Sequence, residues 1–246
     1  MRNLILFGML VLFLVAVQFA SAQSVDDIIS KNVNARGGQA KLDSIKSVYM
    51  EGTREMMGTE VDVNLTKEQG KLSRTEFEIA GSKGFLLITN KGAWSYFPMH
   101  SQEVTKFPDS AAAAMQSELD IAGPLVDYIA KGNKAELLGK DTLDGNENYK
   151  IQITTAAGKE ITYWIDAKTY LISQTSQKGG GMFGGGRKNG NDEVTLQYKD
   201  YSPVDGIQFA HSIITKAPGS PADGTAMTFD KIEINPPVDP KLYNPE

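Results

Sequence analysis

His100 and His211 are the only imidazoles in this chain, and it has no cysteine. The missing thiol excludes cysteine nucleophiles, thiolate metal sites and disulfide frameworks. The two histidines lie far apart in sequence. A metal bridged between them would need carboxylate help, and ordinary hydrogen-bonded strand or surface histidines are the expectation. Asp141-Thr142-Leu143-Asp144-Gly145-Asn146-Glu147 has a faint likeness to a calcium loop. It lacks the alternating acidic spacing and the glutamate at position twelve, so Asp144-Gly145 is read as a hairpin turn. The run Lys178-Gly179-Gly180-Gly181-Met182-Phe183-Gly184-Gly185-Gly186-Arg187-Lys188 has the glycine density of a phosphate loop. No Lys-Ser/Thr follows at the required spacing and no helix opens there, so it reads as a flexible loop over 178–190. Nucleophile-elbow and zinc-helix motifs are absent. Asn64-Leu65-Thr66 matches a glycosylation sequon but sits mid-strand. No catalytic residue, metal ligand or cofactor is assigned, and the chain is not expected to be an enzyme. What remains is apolar surface, and the elements that would shape it.

The first such element is an address. Arg2 precedes an uncharged run from Leu4 to Val17, and Ala20-Ser21-Ala22 follows with small residues in a cleavage pattern. This is a secretory signal peptide over 1–22, cut after Ala22, because the run is shorter than the ~20 apolar residues of a spanning helix. The remaining 23–246 reads as one domain, with no later segment able to span a membrane. A secreted chain without cysteine points to a bacterial periplasm. The full chain carries a net charge of −5, which argues against a nucleic-acid binder needing a basic face. With 41% hydrophobic and 22% charged residues, it has the composition of a globular protein.

Ser24 caps a helix carrying Val25, Ile28, Ile29 and Val33 on one face, with Asp27 placed as in a capping box. Gly37-Gly38 stops it, and a short helical piece follows with Leu42 and Ile45 inward, giving helices over about 24–46. From Ser47 the period becomes two, as in Val61, Val63, Leu65 and again in Thr75, Phe77, Ile79. That is the mark of antiparallel strands with one dry face. Phe85 to Thr89 is nearly all apolar and is read as covered on both faces. Trp94 and Tyr96 share a face. Residues 109–131 interrupt the strands. An Ala-rich helix capped by Asp109 or Ser110 carries Ala111, Met115 and Leu119, and Pro124 opens a second helix with Leu125, Val126 and Ile129 inward. Strands resume at Ala135. Val194, Leu196 and Tyr198 share a face, as do Ile207 and Phe209. About ten strands in an up-and-down meander will curl or close rather than stay flat. The fold class is therefore α+β, mostly β: one curved antiparallel sheet with helices against it. A concave face with sparse filling becomes a cavity. Met50, Met56, Met57 and Met115 would suit an adaptable acyl pocket or simply fill core.

Several stretches resemble the LolA/LolB-like outer-membrane lipoprotein-sorting proteins, in the longer form with a glycine pair after the first helix. They are Ala35-Arg36-Gly37-Gly38-Gln39-Ala40-Lys41-Leu42, Gly123-Pro124-Leu125-Val126-Asp127-Tyr128, and Glu136-Leu137-Leu138-Gly139-Lys140 with Gly145 and Tyr149-Lys150. Then come Tyr163-Trp164-Ile165-Asp166 with Thr169-Tyr170-Leu171, Val204-Asp205-Gly206-Ile207, and Asp230-Lys231-Ile232-Glu233-Ile234-Asn235-Pro236. The resemblance implies an incomplete, half-open β-barrel whose helices at 109–131 form a lid over a cavity for acyl chains. On that reading the lipid-binding residues are Met50, Val61, Val63, Leu65, Phe77, Ile79, Leu86, Ile88, Trp94, Met115, Leu119, Leu125 and Ile129. It also implies an arginine tying barrel to lid, with Arg36, Arg54 and Arg74 as candidates. The Met182-Phe183 tip would be a contact loop for membrane or partner, or an incidental part of a linker. The implied function is a periplasmic, monomeric carrier or binder of acyl chains of lipoproteins or lipids, handing them to an outer-membrane acceptor. The competing function is a cell-envelope scaffold with a filled barrel that docks on an outer-membrane complex. An open cavity favours the first and a packed interior the second.

Overall fold

The computed structural model describes residues 23–56, 58–99, 101–178, 192–218 and 220–245. The leader, Met57, His100 and the Met182-Phe183 tip lie outside the described residues, as does the glycine-rich run from 179. So does the side chain of Met56.

The first helix, α1 (Val25–Ala35), opens as its sequence dictates: the Asp27 N–H donates to Ser24 Oγ at 3.1 Å. It buries Ile28, Ile29, Asn32 and Val33. Gly37 and Gly38 end it at φ of 129° and 88°, a region that glycine enters without steric cost. The one-turn α2 (Gln39–Asp43) follows and buries Leu42, with Ile45 buried just beyond it.

The strands then form two meanders. The first runs β1 (Ser47–Met56), β2 (Thr59–Glu68), β3 (Leu72–Ile79), β4 (Ser82–Thr89), β5 (Gly92–Tyr96) and β6 (Thr105–Lys106). The second runs β7 (Lys134–Leu143), β8 (Asn146–Thr154), β9 (Glu160–Asp166), β10 (Ile172–Lys178), β11 (Glu193–Val204), β12 (Ile207–Lys216) and β13 (Thr225–Ile234). All thirteen described strands belong to one antiparallel sheet. Its order is β6-β5-β4-β3-β2-β1-β13-β12-β11-β10-β9-β8-β7. The meanders are thus joined at a β1·β13 seam, and the sheet stays open between its edges β6 and β7. Several hairpins use two-residue turns with both residues at positive φ, including Ala80-Gly81, Asp144-Gly145 and Asp205-Gly206. This turn matches the twist of the flanking strands. Asp144-Gly145 is accordingly a hairpin.

The chain between β6 and β7, residues 107–133, is a crossing segment that bridges the two open edges. It starts with α3 (Asp109–Met115), entered through Pro108 with no side-chain cap, and continues as a 3-10 turn over Gln116–Leu119. The second helix expected from Pro124 does not form. Asp127 takes φ 50°, which breaks right-handed helical geometry, and the segment closes instead through turns such as Val126 N–H to Gly123 O and Gly132 N–H to Ile129 O. Leu125 and Val126 stay buried, while Ile129 is turned out at 71% exposure.

The main core lies on the concave face. It joins α1 and α2 to Val61, Val63, Phe77, Ile151, Ile153, Ile165, Phe229 and the crossing-segment residues Ala122, Leu125 and Val126. A second, small cluster of Ile88, Ala93, Ala112 and Leu119 sits under α3. A third lies on the opposite face of β3–β5, where Leu72, Phe85 and Leu87 are covered by Val238, Leu242 and Tyr243 of the C-terminal tail. The β4 strand is therefore covered on both faces, which accounts for its unbroken apolar run. Arg74 holds the tail down: it pairs with Glu76 at 3.0 Å and donates to the carbonyls of Leu242 and Asn244. Among the described residues, no helix is long and apolar enough to cross a membrane.

Candidate functional site

Between the concave face and the crossing segment lies a cavity of about 320 Å³, inside the range of small-molecule sites. Its walls come mainly from the second meander and the seam. Ile161 and Tyr163 project from β9, Val194, Leu196 and Tyr198 from β11, Phe209 and Ile213 from β12, and Phe229 from β13. Val48 and Met50 of β1 and Leu65 of β2 complete the sheet wall, Leu42 and Ile45 contribute from the helical N-terminus, and residues 117–125 form the roof. The alternation of β11 brings Val194, Leu196 and Tyr198 to the same side.

The roof is held at both rims. The Gly70 N–H donates to the Leu119 carbonyl at 2.9 Å, and the Ile121 N–H donates to Gln69 Oε1 at 2.8 Å. Lys67 donates to the Glu118 carbonyl at 3.1 Å and faces its carboxylate at 3.5 Å. From the other meander, Lys159 Nζ donates to Ser117 Oγ at 3.3 Å. Asp120 pairs with Lys131 at 2.6 Å. The segment is also tied to the helices. The Tyr128 hydroxyl donates to the Asp26 carboxylate, which holds the phenol up at about 12, and Gln39 donates to Asp127 at 2.9 Å.

Polar and charged groups are set among the apolar walls. Arg36 follows α1 and is clamped by its backbone: its N–H donates to Asn32 O and its carbonyl accepts from the Gln208 N–H at 2.9 Å. Gly37 allows this approach, since a Cβ there would stand 2.7 Å from the Gly206 carbonyl oxygen. The clamp sets the Arg36 side chain into the cavity wall. Burial lowers its pKa from the ordinary arginine value, and burial raises those of Tyr163, Tyr198 and Tyr201. Among the described residues there is no group of three or more His, Asp or Glu placed to hold a metal ion. His211 uses Nδ1 at 2.8 Å from the Phe229 carbonyl, inside the sheet.

The structure brings Met50, Leu65 and Leu125 of the expected lipid-binding set to the cavity. Val61, Val63 and Phe77 are packed into the main core, with Ile79 against it. Ile88, Leu119 and Met115 belong to the cluster under α3. Leu86 is half-buried in β4. Trp94 packs on the opposite face with the C-terminal tail, and Ile129 faces outward. The walls from β9 to β13 were not in that set. Their signal was present in the period-two runs of 194–198 and 207–209, but periodicity marks a dry face without saying whether it is filled.

Neither a protein-family model nor a curated protein matches the sequence. Solved structures do match the backbone. One is a LolA superfamily protein from Nitrosomonas europaea, with a TM-score of 0.56 at 12% identity, covering 91% of this chain and 98% of that one. The chain has a LolA-like fold. A DUF1329 family protein from Desulfovibrio piger is equally similar, with a TM-score of 0.56 at 15% identity, covering 89% of this chain and 97% of that one. An outer membrane lipoprotein-sorting protein domain from Vibrio parahaemolyticus gives a TM-score of 0.51 at 13% identity, covering 89% and 95%. At these identities the likeness is one of fold. Within the LolA-like fold of this chain, the three candidate lid arginines part company. Arg74 holds the C-terminal tail, Arg54 lies near the far end of β1, and Arg36 alone lines the cavity.

Proposed function

We propose that this protein is a non-enzymatic binder or carrier of acyl chains, from a lipid or an acylated lipoprotein, working as a monomer in the bacterial periplasm after its leader is removed behind Ala22. The observation that carries this reading is the cavity of about 320 Å³ under the crossing segment, walled by Ile, Leu, Val, Phe and Met side chains. A filled scaffold would have no use for it. An alkyl chain entering it gains about 0.8 kcal/mol per buried methylene. The roof is a 3-10 turn and a series of turns, held by polar contacts and by the packing of Ala122, Leu125 and Val126, and it contributes no strand to the sheet.

The test is displacement of a fluorescent fatty acid from purified protein, with native mass spectrometry of the same sample. Wild type takes up one chain per molecule. Ala210→Phe, which places a ring in the cavity wall, lowers the affinity at least tenfold with the thermal midpoint little changed. No uptake by wild type, or equal uptake by the filled variant, refutes the reading.

A further inference from the structure

A cavity built only for hydrocarbon has no need of a cation, and this one has three: Arg36, Lys67 and Lys159. Lys67 faces the Glu118 carboxylate at 3.5 Å, and Lys159, which has no ion pair among the described residues, donates to Ser117 Oγ at 3.3 Å. The acidic groups of the wall are also engaged, Glu118 by Lys67 and Asp120 by Lys131 at 2.6 Å and by Gln69. Arg36 has no ion pair, and its guanidinium makes no hydrogen bond, among the described residues.

An unpaired charge taken out of water is costly. A lysine could relieve that cost by releasing its proton, but a guanidinium cannot. The dipole of α1 offsets little of that cost, since the field at a helix C-terminus is weak beside the desolvation of a full charge. The backbone clamp on Arg36 fixes where its side chain leaves the main chain, and that side chain lines the cavity. A second donor stands in the same wall. Tyr163 is only 5% exposed, and its hydroxyl has no hydrogen-bond partner among the described residues. Its neighbours are committed: the Tyr201 hydroxyl donates to Ile172 O at 2.9 Å, and the Tyr198 hydroxyl lies 3.2 Å from Thr175 Oγ1. The wall therefore offers a fork of guanidinium N–H groups and one phenolic O–H, with no acceptor assigned to either, beside apolar surface.

We infer that the cavity takes a single-chain amphiphile with an anionic head, a carboxylate or a phosphate, with Arg36 as its counter-ion and Tyr163 as a second donor. This rests on the acyl-binding reading above and narrows it, because an ester- or amide-linked acyl chain presents no such charge. A guanidinium matches either oxyanion in a two-point geometry. The anion supplies the charge that the fold leaves out, and the alkyl chain runs along Val194, Leu196 and Phe229.

Three probes of equal chain length test it: dodecanoate, dodecyl phosphate and dodecanol, each titrated against the full mature chain by displacement of a neutral fluorescent alkyl probe. Wild type binds at least one of the two anions tenfold or more tighter than dodecanol, and the stronger anion identifies the head. Arg36→Gln abolishes that preference and leaves dodecanol within twofold of wild type. Arg36→Lys keeps the charge and retains part of the preference, which separates lost charge from lost structure. Tyr163→Phe reduces the preference severalfold. If dodecanol binds as tightly as both anions, or if Arg36→Gln keeps the preference, the head-group assignment is overturned and acyl binding stands. If none of the three binds, both readings fall.

Discussion

At the scale of single residues, the cavity is defined less by its aliphatic side chains than by the polar groups set among them. Tyr163, Tyr198 and Tyr201 lie together in the wall, and burial raises the pKa of each above the ordinary phenol value. The consequence for stability has a definite sign. Near pH 10 the unfolded chain releases these protons while the folded chain keeps them, so the folded state binds more protons and the free energy of unfolding falls as pH rises. Each tyrosine contributes a slope of up to about 1.4 kcal/mol per pH unit above that point, and none at neutral pH. Urea midpoints should hold from pH 7 to 9 and fall steeply toward pH 11, and Tyr163→Phe should show a smaller fall. An alkaline limb unchanged by Tyr163→Phe would mean that this phenol is not shielded in the folded state. Little of this was legible in the sequence. Arg36 stands in a glycine-rich stretch that reads as a helix stop, and Tyr163 in an alternating strand that reads as core. Their meeting depends on α1 docking against the β11–β12 turn, a contact between positions remote in the chain.

At the scale of elements, legibility tracks how local the determining interactions are. The Ser24 cap, the Gly37-Gly38 stop and the Asp144-Gly145 hairpin are fixed by neighbouring residues, and each forms where its sequence places it. The crossing segment is fixed by contacts to other elements, and there the local pattern misleads. Pro124 and the spacing of Leu125, Val126 and Ile129 suit a helix, yet tertiary hydrogen bonds to Gln69, Gly70 and Gln39 hold the chain in turns. Trp94 shows the same limit: its alternation places it on one face with Tyr96, but that face is covered by a C-terminal tail that no periodicity announces. The dependence of the roof on these polar contacts is testable. Gln69 accepts from the Ile121 N–H and donates toward Asp120. Gln69→Ala removes both bonds and leaves the Gly70–Leu119 backbone bond in place. At about 1 kcal/mol per bond, amide exchange over residues 119–123 should quicken roughly tenfold or more. Amides of β8 and β9 should stay within twofold. Equal protection of 119–123 in the variant would show that packing of Ala122, Leu125 and Val126, rather than these bonds, holds the roof shut.

At the scale of the molecule, the sheet is two meanders that meet at one ladder, β1·β13, with a shared core behind it. Two meanders could unfold as two units, and the seam decides whether they do. Its weak point is Gly52, where the register slips between Glu51 and Gly52 because β13 carries an extra residue, Asp230, opposite them. A Cβ at this position would collide with the Thr228 carbonyl oxygen and stand 2.8 Å from Phe229 Cα. These are backbone atoms of the partner strand, so no side-chain rotation relieves the clash. Gly52→Ala must therefore part the ladder locally, at a cost of about 2–3 kcal/mol, in the range of overpacked interiors. The protein's two tryptophans report the result separately, because Trp94 lies in β5 of the first meander and Trp164 in β9 of the second. The core draws residues from both meanders, α1 and the crossing segment, so damage at the seam is felt on both sides. In Trp94→Phe and Trp164→Phe backgrounds, the remaining tryptophan should give the same urea midpoint, and Gly52→Ala should lower both by the same amount with the slope unchanged. A drop confined to the Trp94 signal, with Trp164 unmoved, would show that the second meander stands without the first. The cavity, walled by both and roofed by the chain that joins their outer edges, would then belong to the second meander and its roof alone.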